Sequence, residues 1–220
     1  MQNHISLVYL SMLCFTFSLG ANAQQDPEAK KILDQVSSKT NSYSSITADF
    51  SYHYKNIQSK EDQTQKGTIC LKGKMYKLEF LNSEVYSDGT TQWNYMPEVK
   101  EVNVNNSDQN KKDFFLSNPM ELFRVYDKDY KYRLMGEVSE NGKAAYQLEL
   151  YPFDLKRPYH RIRITIDKAN LQVIKAEVSG KNGDSYEITI TSFRTDLKPE
   201  DSYFRFDTKT HPGVEVIDLR

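Results

Sequence analysis

The sequence predicts a mainly antiparallel β-sheet accompanied by a few α-helices. Apolar and polar residues alternate over most of the chain, which is the pattern of half-buried strands. Asp-Gly and Asn-Gly pairs separate several of these runs, and tight hairpin turns favour such pairs. Few segments between the runs suit crossover helices, so the strands should follow one another as a meander. A sheet of this size is expected to curl strongly.

Residues 1–23 are typical of a secretory signal peptide. Residues 5–20 are mostly apolar, and Ala21-Asn22-Ala23 provides an A-x-A cleavage site. An uncleaved N-terminal anchor is the alternative, although the run is short for a membrane span and contains Ser and Thr. Cleavage near Ala23 predicts an exported protein in which residues 24–220 form a single domain.

The first element of the mature chain is predicted to be a helix. Asp26 is a suitable N-cap, Pro27 suits the first turn, and the charge of Glu28 favours the positive end of the helix dipole. The apolar residues that follow fall on one stripe of the helix: Ala29, Ile32, Leu33 and Val36.

Strands are predicted from residue 46 onwards. The first places alternate apolar side chains on one face: Ile46, Ala48, Phe50, Tyr52 and Tyr54. The next are predicted over 67–72, 75–81, a run through Val99, Val102 and Val104, then 130–138, 144–151, 162–166, 171–180 and 185–193, with Phe204 and Phe206 closing the set. Asn141-Gly142 and Asn182-Gly183 predict hairpins.

The run over residues 88–97 is the most distinctive part of the chain. Asp88-Gly89 predicts a tight turn, and Pro97 ends the strand that follows it. Within that strand Trp93 and Tyr95 share one face. This strand is either part of an ordinary core hairpin or a wall of a ligand pocket.

A polar stretch and a short apolar helix interrupt the strands. Residues 105–112 predict a mobile loop, after which Asn118 and Pro119 start a helix and Glu121 completes a capping box. Its apolar residues are Met120, Leu122, Phe123 and Val125, and Phe114 precedes it. The helix either plugs the hollow of the curved sheet as a movable lid or completes a fixed core.

Composition and motifs exclude several functions. The net charge of −1 argues against a general nucleic-acid binder. Cys70 is the single cysteine after residue 23, so no intrachain disulfide is expected, and its apolar neighbours favour a buried thiol over a catalytic one. His53, His160 and His211 are isolated, and no motif predicts a metal site, a cofactor or a catalytic residue. Arg161 and Arg163 are interpreted as a solvated face.

Four segments, in order, resemble the LolA-type outer-membrane lipoprotein carriers. Residues 88–97 resemble the family's D-G-x-x-x-W-x-Y-x-P hairpin, and Gly67-x-Ile69-x-Leu71-Lys72 resembles the strand before it. Asn118-Pro119 resembles the start of the lid segment. Phe204-Arg205-Phe206 with residues 212–218 resembles the C-terminal ending. The resemblance implies a strongly curved, incomplete β-barrel with a helical lid enclosing an apolar cavity for acyl chains.

The predicted cavity lining combines strand positions with the short helix. It comprises Phe50, Tyr52, Ile69, Leu71, Leu78, Phe80, Trp93, Tyr95, Phe114, Met120, Leu122 and Phe123. The implied function is a monomeric periplasmic carrier, without cofactor or catalysis, that moves acylated lipoproteins or other lipidated cargo from an inner-membrane transporter to an outer-membrane acceptor. A lipid- or lipoprotein-sensing adaptor with the same fold is the alternative, and an enzyme with a hydrophobic pocket is the third.

One position departs from the family. Proteobacterial carriers have an arginine and a proline after the early strand, and the arginine is tied to lid opening. This chain has Lys72-Gly73-Lys74 there. Lysine lacks the planar hydrogen-bonding fork of arginine, so we expect this turn to contribute little to holding a lid shut.

Overall fold

The computed structural model describes residues 25–107 and 129–220 of the chain. Within them, twelve strands form one sheet in the order β12-β6-β5-β4-β3-β2-β1-β11-β10-β9-β8-β7. The strands are β1 (Ile46–Asn56), β2 (Glu61–Lys72), β3 (Met75–Phe80), β4 (Ser83–Ser87), β5 (Thr91–Met96), β6 (Glu101–Asn106), β7 (Tyr130–Glu140), β8 (Lys143–Pro152), β9 (Tyr159–Asp167), β10 (Gln172–Gly180), β11 (Asp184–Thr195) and β12 (Glu215–Asp218). This confirms the predicted, mainly antiparallel fold.

The sheet consists of two meanders that meet at β1 and β11. One runs from β1 to β6 and the other from β7 to β11, with each strand antiparallel to its chain neighbour. β12 lies parallel to β6. β7 and β12 therefore stand at opposite ends of the strand order, and the described sheet is open rather than closed.

One helix, α1 (Pro27–Ser42), packs on the sheet, and its predicted cap is confirmed. Asp26 accepts hydrogen bonds from the backbone N–H groups of Glu28 and Ala29 at 3.0 and 3.1 Å. Its second carboxylate oxygen accepts from the N–H of Leu134 at 2.9 Å, which fixes the start of the helix to β7. The hydrogen bond from Leu134 makes the largest contribution to lowering the pKa of Asp26, and the bonds from Ala29 and Glu28 lower it further. None of the helices within the described residues is long and apolar enough to cross a membrane.

The main hydrophobic core lies on one side of the sheet, which we call the core face. The register aligns Tyr52 with Ile188 of β11, and it aligns Ile69 of β2 with both Ala48 and Leu78. The predicted stripe of α1 is buried against this face. Alternate residues of β7 to β11 continue the same cluster across the second meander. The alternation read from the sequence therefore specifies which side of these strands is buried.

A smaller apolar cluster, the back cluster, lies on the opposite side of β4 to β6. It contains Tyr86, Val102 and Phe206, with Trp93 and Tyr95 packed against it. The C-terminal segment, residues 197–214, supplies its cover and includes two short 3₁₀-helices, Asp201–Phe204 and Thr208–Thr210.

The boundaries differ from the predictions at several places, and β2 begins at Glu61 rather than at residue 67. Phe204 lies in a 3₁₀-helix rather than a strand. Val99 lies in the turn before β6, and the predicted loop at 105–112 begins later because Asn105 and Asn106 belong to that strand. The rest of that loop and the helix predicted after Asn118 lie outside the described residues, as does the predicted signal peptide.

Candidate functional site

A cavity of about 760 Å³ opens at one end of the first meander. It lies between the β1–β2 pair and the two turns that join β3 to β4 and β5 to β6. Its lining residues are Asp49, Phe50, Gln65, Lys66, Gly67, Thr68, Glu79, Phe80, Leu81, Asn82, Ser83, Glu84, Pro97, Glu98 and Thr191. Phe50 and Phe80 provide the aromatic part of this lining, and most of the other side chains are polar.

The cavity forms where β2 runs past the end of β3. Pairing between the two strands stops at Thr68 and Glu79, although β2 begins at Glu61. Gly67 occupies the point of divergence. A Cβ atom there would lie 2.4 Å from Cζ of Phe50 and 2.8 Å from the carbonyl oxygen of Glu79. Only glycine leaves room for the Phe50 ring to lie across β2 in this position.

A row of aromatic rings leads from the cavity along the core face. Ring centroids are 5.5 Å apart for Phe50 and Phe80, 5.2 Å for Phe80 and Tyr52, and 6.1 Å for Tyr52 and Tyr186. Tyr54 stacks on Tyr186 at 5.3 Å. Burial raises the pKa of Tyr52, consistent with a poorly hydrated environment. Phe50 and Phe80 therefore join the cavity wall to a buried row of aromatic rings, of which only these two line the cavity itself.

Three ion pairs within the protein lie beside the cavity. The Lys77 ammonium lies 2.7 Å from Glu79 and 3.3 Å from Glu84. Burial alone lowers the pKa of Lys77, but these two carboxylates outweigh that effect and raise it. Asp49 pairs with Arg194 at 3.1 Å. These paired groups therefore add no uncompensated charge beside the cavity that would oppose the binding of an apolar ligand.

Six of the predicted lining residues come together on the core face. Phe50, Tyr52, Ile69, Leu71, Leu78 and Phe80 all belong to the main core cluster. Phe50 and Phe80 reach the cavity itself, whereas the other four pack in the interior. The remaining helix-borne predictions, Phe114, Met120, Leu122 and Phe123, lie outside the described residues.

The prediction that Trp93 and Tyr95 share this face is wrong. Val85 packs against the main core and is aligned with Asn94, so the neighbours of Asn94 in β5 point to the other side. There, the Phe206 ring lies 5.0 Å from Tyr95 and 4.3 Å from His211. The sequence contained a signal for this arrangement. Phe206 and the alternating valines of β6 are apolar residues against which Trp93 and Tyr95 can pack on the back face.

Polar side chains continue the core face where aromatic residues were expected. Gln92 is aligned with Ser87, and Asn94 with Asn103. The side-chain oxygen of Asn94 is buried and accepts no hydrogen bond within the described part of the chain. The core face is therefore apolar over β1 to β3 and amide-rich over β5 and β6.

The Lys72-Gly73-Lys74 turn holds the C-terminal segment in place. The Lys72 ammonium donates to the carbonyl oxygen of Pro199 at 2.7 Å and pairs with Asp201 at 2.8 Å. The same turn also contacts the next one, since a Cβ added to Gly89 would lie 3.1 Å from Cβ of Lys74. The turn thus contributes to anchoring the cover of the back cluster, a role that sequence reasoning missed.

Arg161 and Arg163 are more strongly paired than the predicted solvated face implied. Both contact the carboxylate of Glu149, at 3.2 and 2.8 Å, and the Glu149 side chain is only 4% exposed. Burial alone raises the pKa of Glu149, but the Tyr151 hydroxyl and the two guanidinium groups lower it overall. Within residues 25–107 and 129–220, no group of three His, Cys, Asp or Glu side chains is arranged to hold a metal ion.

Comparison with known proteins identifies a family and a shared fold. A protein-family model described as "Uncharacterized protein" matches residues 47–204. No curated protein sequence matches this chain closely enough to count as a relative.

Solved structures resemble this chain at low identity. An uncharacterized conserved protein from Thermus thermophilus is 13% identical, with 87% of this chain and 99% of that chain covered and a TM-score of 0.59. MucB, also known from a Pseudomonas aeruginosa complex with MucA, is 17% identical over 82% of this chain and 63% of its own, with a TM-score of 0.50. A LolA superfamily protein from Nitrosomonas europaea is 15% identical over 82% and 98%, with a TM-score of 0.44. The first two likenesses show a shared fold.

Proposed function

The chain belongs to the family described as "Uncharacterized protein", whose model it matches over residues 47–204, and we propose that it is a periplasmic carrier of lipoprotein acyl chains. It would bind these chains at the cavity beside Phe50 and Phe80 and move them from the inner to the outer membrane. The cavity beside these two rings, which pack onto each other and onto Tyr52, carries this proposal. The carrier needs neither catalysis nor a cofactor.

The energetics of the task favour such a site. Each acyl methylene exposed to water costs about 0.8 kcal/mol, so several long chains cannot cross an aqueous compartment unprotected. A volume of about 760 Å³ lies within the range of ordinary small-molecule sites. The rim is open to solvent at the turns, which allows entry and release without unfolding of the core.

The remaining features of the proposal come from the sequence. Residues 1–23 would be a signal peptide cleaved near Ala23, and residues 24–220 a single domain acting as a monomer. The helix predicted after Asn118 would serve as the lid. Donor and acceptor would be an inner-membrane transporter and an outer-membrane acceptor, as the resemblance to LolA-type carriers implies.

The unique tryptophan allows a direct test of where acyl chains bind. Trp93 packs in the back cluster and does not line the cavity, so brominated fatty acids and lipopeptides should quench its fluorescence less than that of a tryptophan in the cavity wall. In a Trp93→Phe background, Phe80→Trp places the fluorophore in the cavity wall, and the same ligands should quench it strongly. The measurement is steady-state fluorescence at increasing concentrations of ligand.

Two outcomes contradict the proposal. Strong quenching of Trp93 with weak quenching of the Phe80→Trp variant would place the ligand elsewhere. Absence of quenching in both, with each protein shown to be folded by circular dichroism, would exclude an acyl-chain site at this cavity. Binding without transfer to acceptor vesicles would support the sensing adaptor instead of the carrier.

A further inference from the structure

Five of the ten exposed large apolar residues in the described part of the chain lie in turns at one end of the sheet. We call them the apolar rim: Ile57, Leu81, Val99, Phe153 and Leu155, which are 75, 55, 59, 58 and 80% exposed. They lie in the β1–β2, β3–β4, β5–β6 and β8–β9 connections. Antiparallel pairing brings all four connections to the same end of the sheet. The cavity also opens at this end, as its lining includes Leu81 and Pro97.

The opposite end of the sheet has a different composition. Its hairpin turns contain Gly73-Lys74, Asp88-Gly89, Asn141-Gly142 and residues 168–171, of which Leu171 packs against the core. Leu197 is 57% exposed at that end, but it lies in the connection to the C-terminal segment rather than in a hairpin. Single exposed apolar residues are common on soluble proteins. Their placement on successive turns at one end is the informative feature.

Hydrogen bonds between turns hold the rim in two groups. The N–H of Ile57 donates to the carbonyl oxygen of Gly183 at 3.3 Å, and the N–H of Lys181 donates to that of Pro158 at 2.9 Å. The Lys181 ammonium also donates to the carbonyl oxygen of Leu155. The second group is joined by Asn82, whose side-chain amide donates to Glu98 at 3.0 Å. The apolar tips are therefore displayed by linked turns.

Exposed lysines accompany the apolar tips. Lys60, Lys100, Lys156 and Lys181 each lie in one of the turns at this end. Acidic residues lie at the same end: Asp154 accepts from the N–H of Lys156 at 2.9 Å, and Glu98 accepts from the side-chain amide of Asn82 at 3.0 Å. Apolar tips flanked by lysines match the requirements of a membrane interface, where aliphatic groups enter the acyl boundary and ammonium groups contact anionic headgroups.

We propose that the apolar rim docks this protein on an anionic lipid bilayer, with the cavity opening held against the membrane surface. Docking would let an acyl chain pass between bilayer and cavity over a short, water-poor path. This goes beyond carriage of cargo between partner proteins, and it does not require any particular ligand in the cavity.

The test uses the full mature chain and vesicles of phosphatidylethanolamine with phosphatidylglycerol. One double variant is Phe153→Ser with Leu155→Ser, and the other is Leu81→Ser with Val99→Ser. We expect each to weaken co-sedimentation roughly tenfold, because each removes a large part of the apolar area that docking would bury in the bilayer. Leu197→Ser is the matched control, since Leu197 is similarly exposed at the other end, and it should bind as the unchanged protein does.

Three outcomes overturn the proposal. The unchanged protein fails to bind these vesicles at low salt, or Leu197→Ser weakens binding as much as the rim variants. In the third, rim variants bind vesicles normally but lose association with a purified acceptor protein, which assigns the rim to a protein partner. Bromolipid quenching of the Phe80→Trp variant in detergent is independent of docking, so failure of the rim and failure of the cavity are distinguishable.

Discussion

Two apolar surfaces lie back to back on the first meander, and they differ in how they are covered. Phe50 and Phe80 of the core face are buried, but they form the aromatic wall of an open cavity whose other lining is mostly polar. On the back face of β4 to β6, the C-terminal segment places Phe206 over Tyr86 and Tyr95. Both surfaces are rich in aromatic residues. Composition alone therefore does not show which of the two surfaces borders an open cavity and which is covered by a distant segment of the chain.

The largest expected effect comes from removing the cover on the back face. Phe206→Ala should lower the free energy of unfolding by about 3–5 kcal/mol, the usual range for a buried phenylalanine. It should also shift Trp93 emission to longer wavelength, because the back cluster becomes hydrated, while acyl binding is preserved. The paired variant Phe80→Ala should change acyl affinity and leave Trp93 emission unchanged. Chemical denaturation and emission spectra measure both, and identical effects of the two variants would mean that the surfaces are not independent.

Gly67 permits a second comparison, restricted to the cavity. Gly67→Ala should destabilise the protein by about 1–3 kcal/mol and weaken acyl binding, because the added methyl group displaces the Phe50 ring. Gly73→Ala is the control: nothing lies within 4 Å of an added Cβ, but φ is +58°, so it reports backbone strain alone. It should cost about 1 kcal/mol and leave acyl binding unchanged. Unaltered binding in Gly67→Ala would show that the ring position does not shape the site.

The smallest effect concerns the ion pair that ties the β4–β5 turn to the C-terminal cover. Asp88 lies 3.2 Å from Arg205 and also accepts from the N–H groups of Thr90 and Thr91. Burial alone raises the pKa of Asp88, but the bonds from Thr91 and Thr90, aided by Arg205, lower it overall. A depressed folded-state pKa adds stability above the unfolded pKa of about 4, which is lost as the pH falls through the folded value.

Asp88→Asn should therefore cost about 1 kcal/mol at pH 7 and nothing at a pH below the folded pKa of Asp88. Urea denaturation of both proteins across that range measures the difference. A cost that does not change with pH would mean that shape, rather than charge, holds the turn to the segment.

Sequence reasoning succeeded where the pattern was local. The cap at Asp26, the hairpin at Asn141-Gly142 and the buried side of β1 each depend on residues close together in the chain, and each is confirmed. It failed for Trp93, because alternation shows that two residues share a face but not which face that is. That choice is decided by residues 197–214, more than a hundred positions later. Gly67 was likewise recognised as a family position, but its packing role depends on Phe50 in the neighbouring strand.

The pairing of β1 with β11 has a consequence for how the chain folds. It aligns residues as distant in the chain as Ile46 and Thr195, and it brings the Tyr54 hydroxyl within 2.9 Å of Asp184, 130 positions away. The meanders on either side are built from neighbours in sequence and close with little loss of chain entropy. The central seam of the sheet should therefore be the slowest contact to form, and it cannot form until the C-terminal half of the chain has been made.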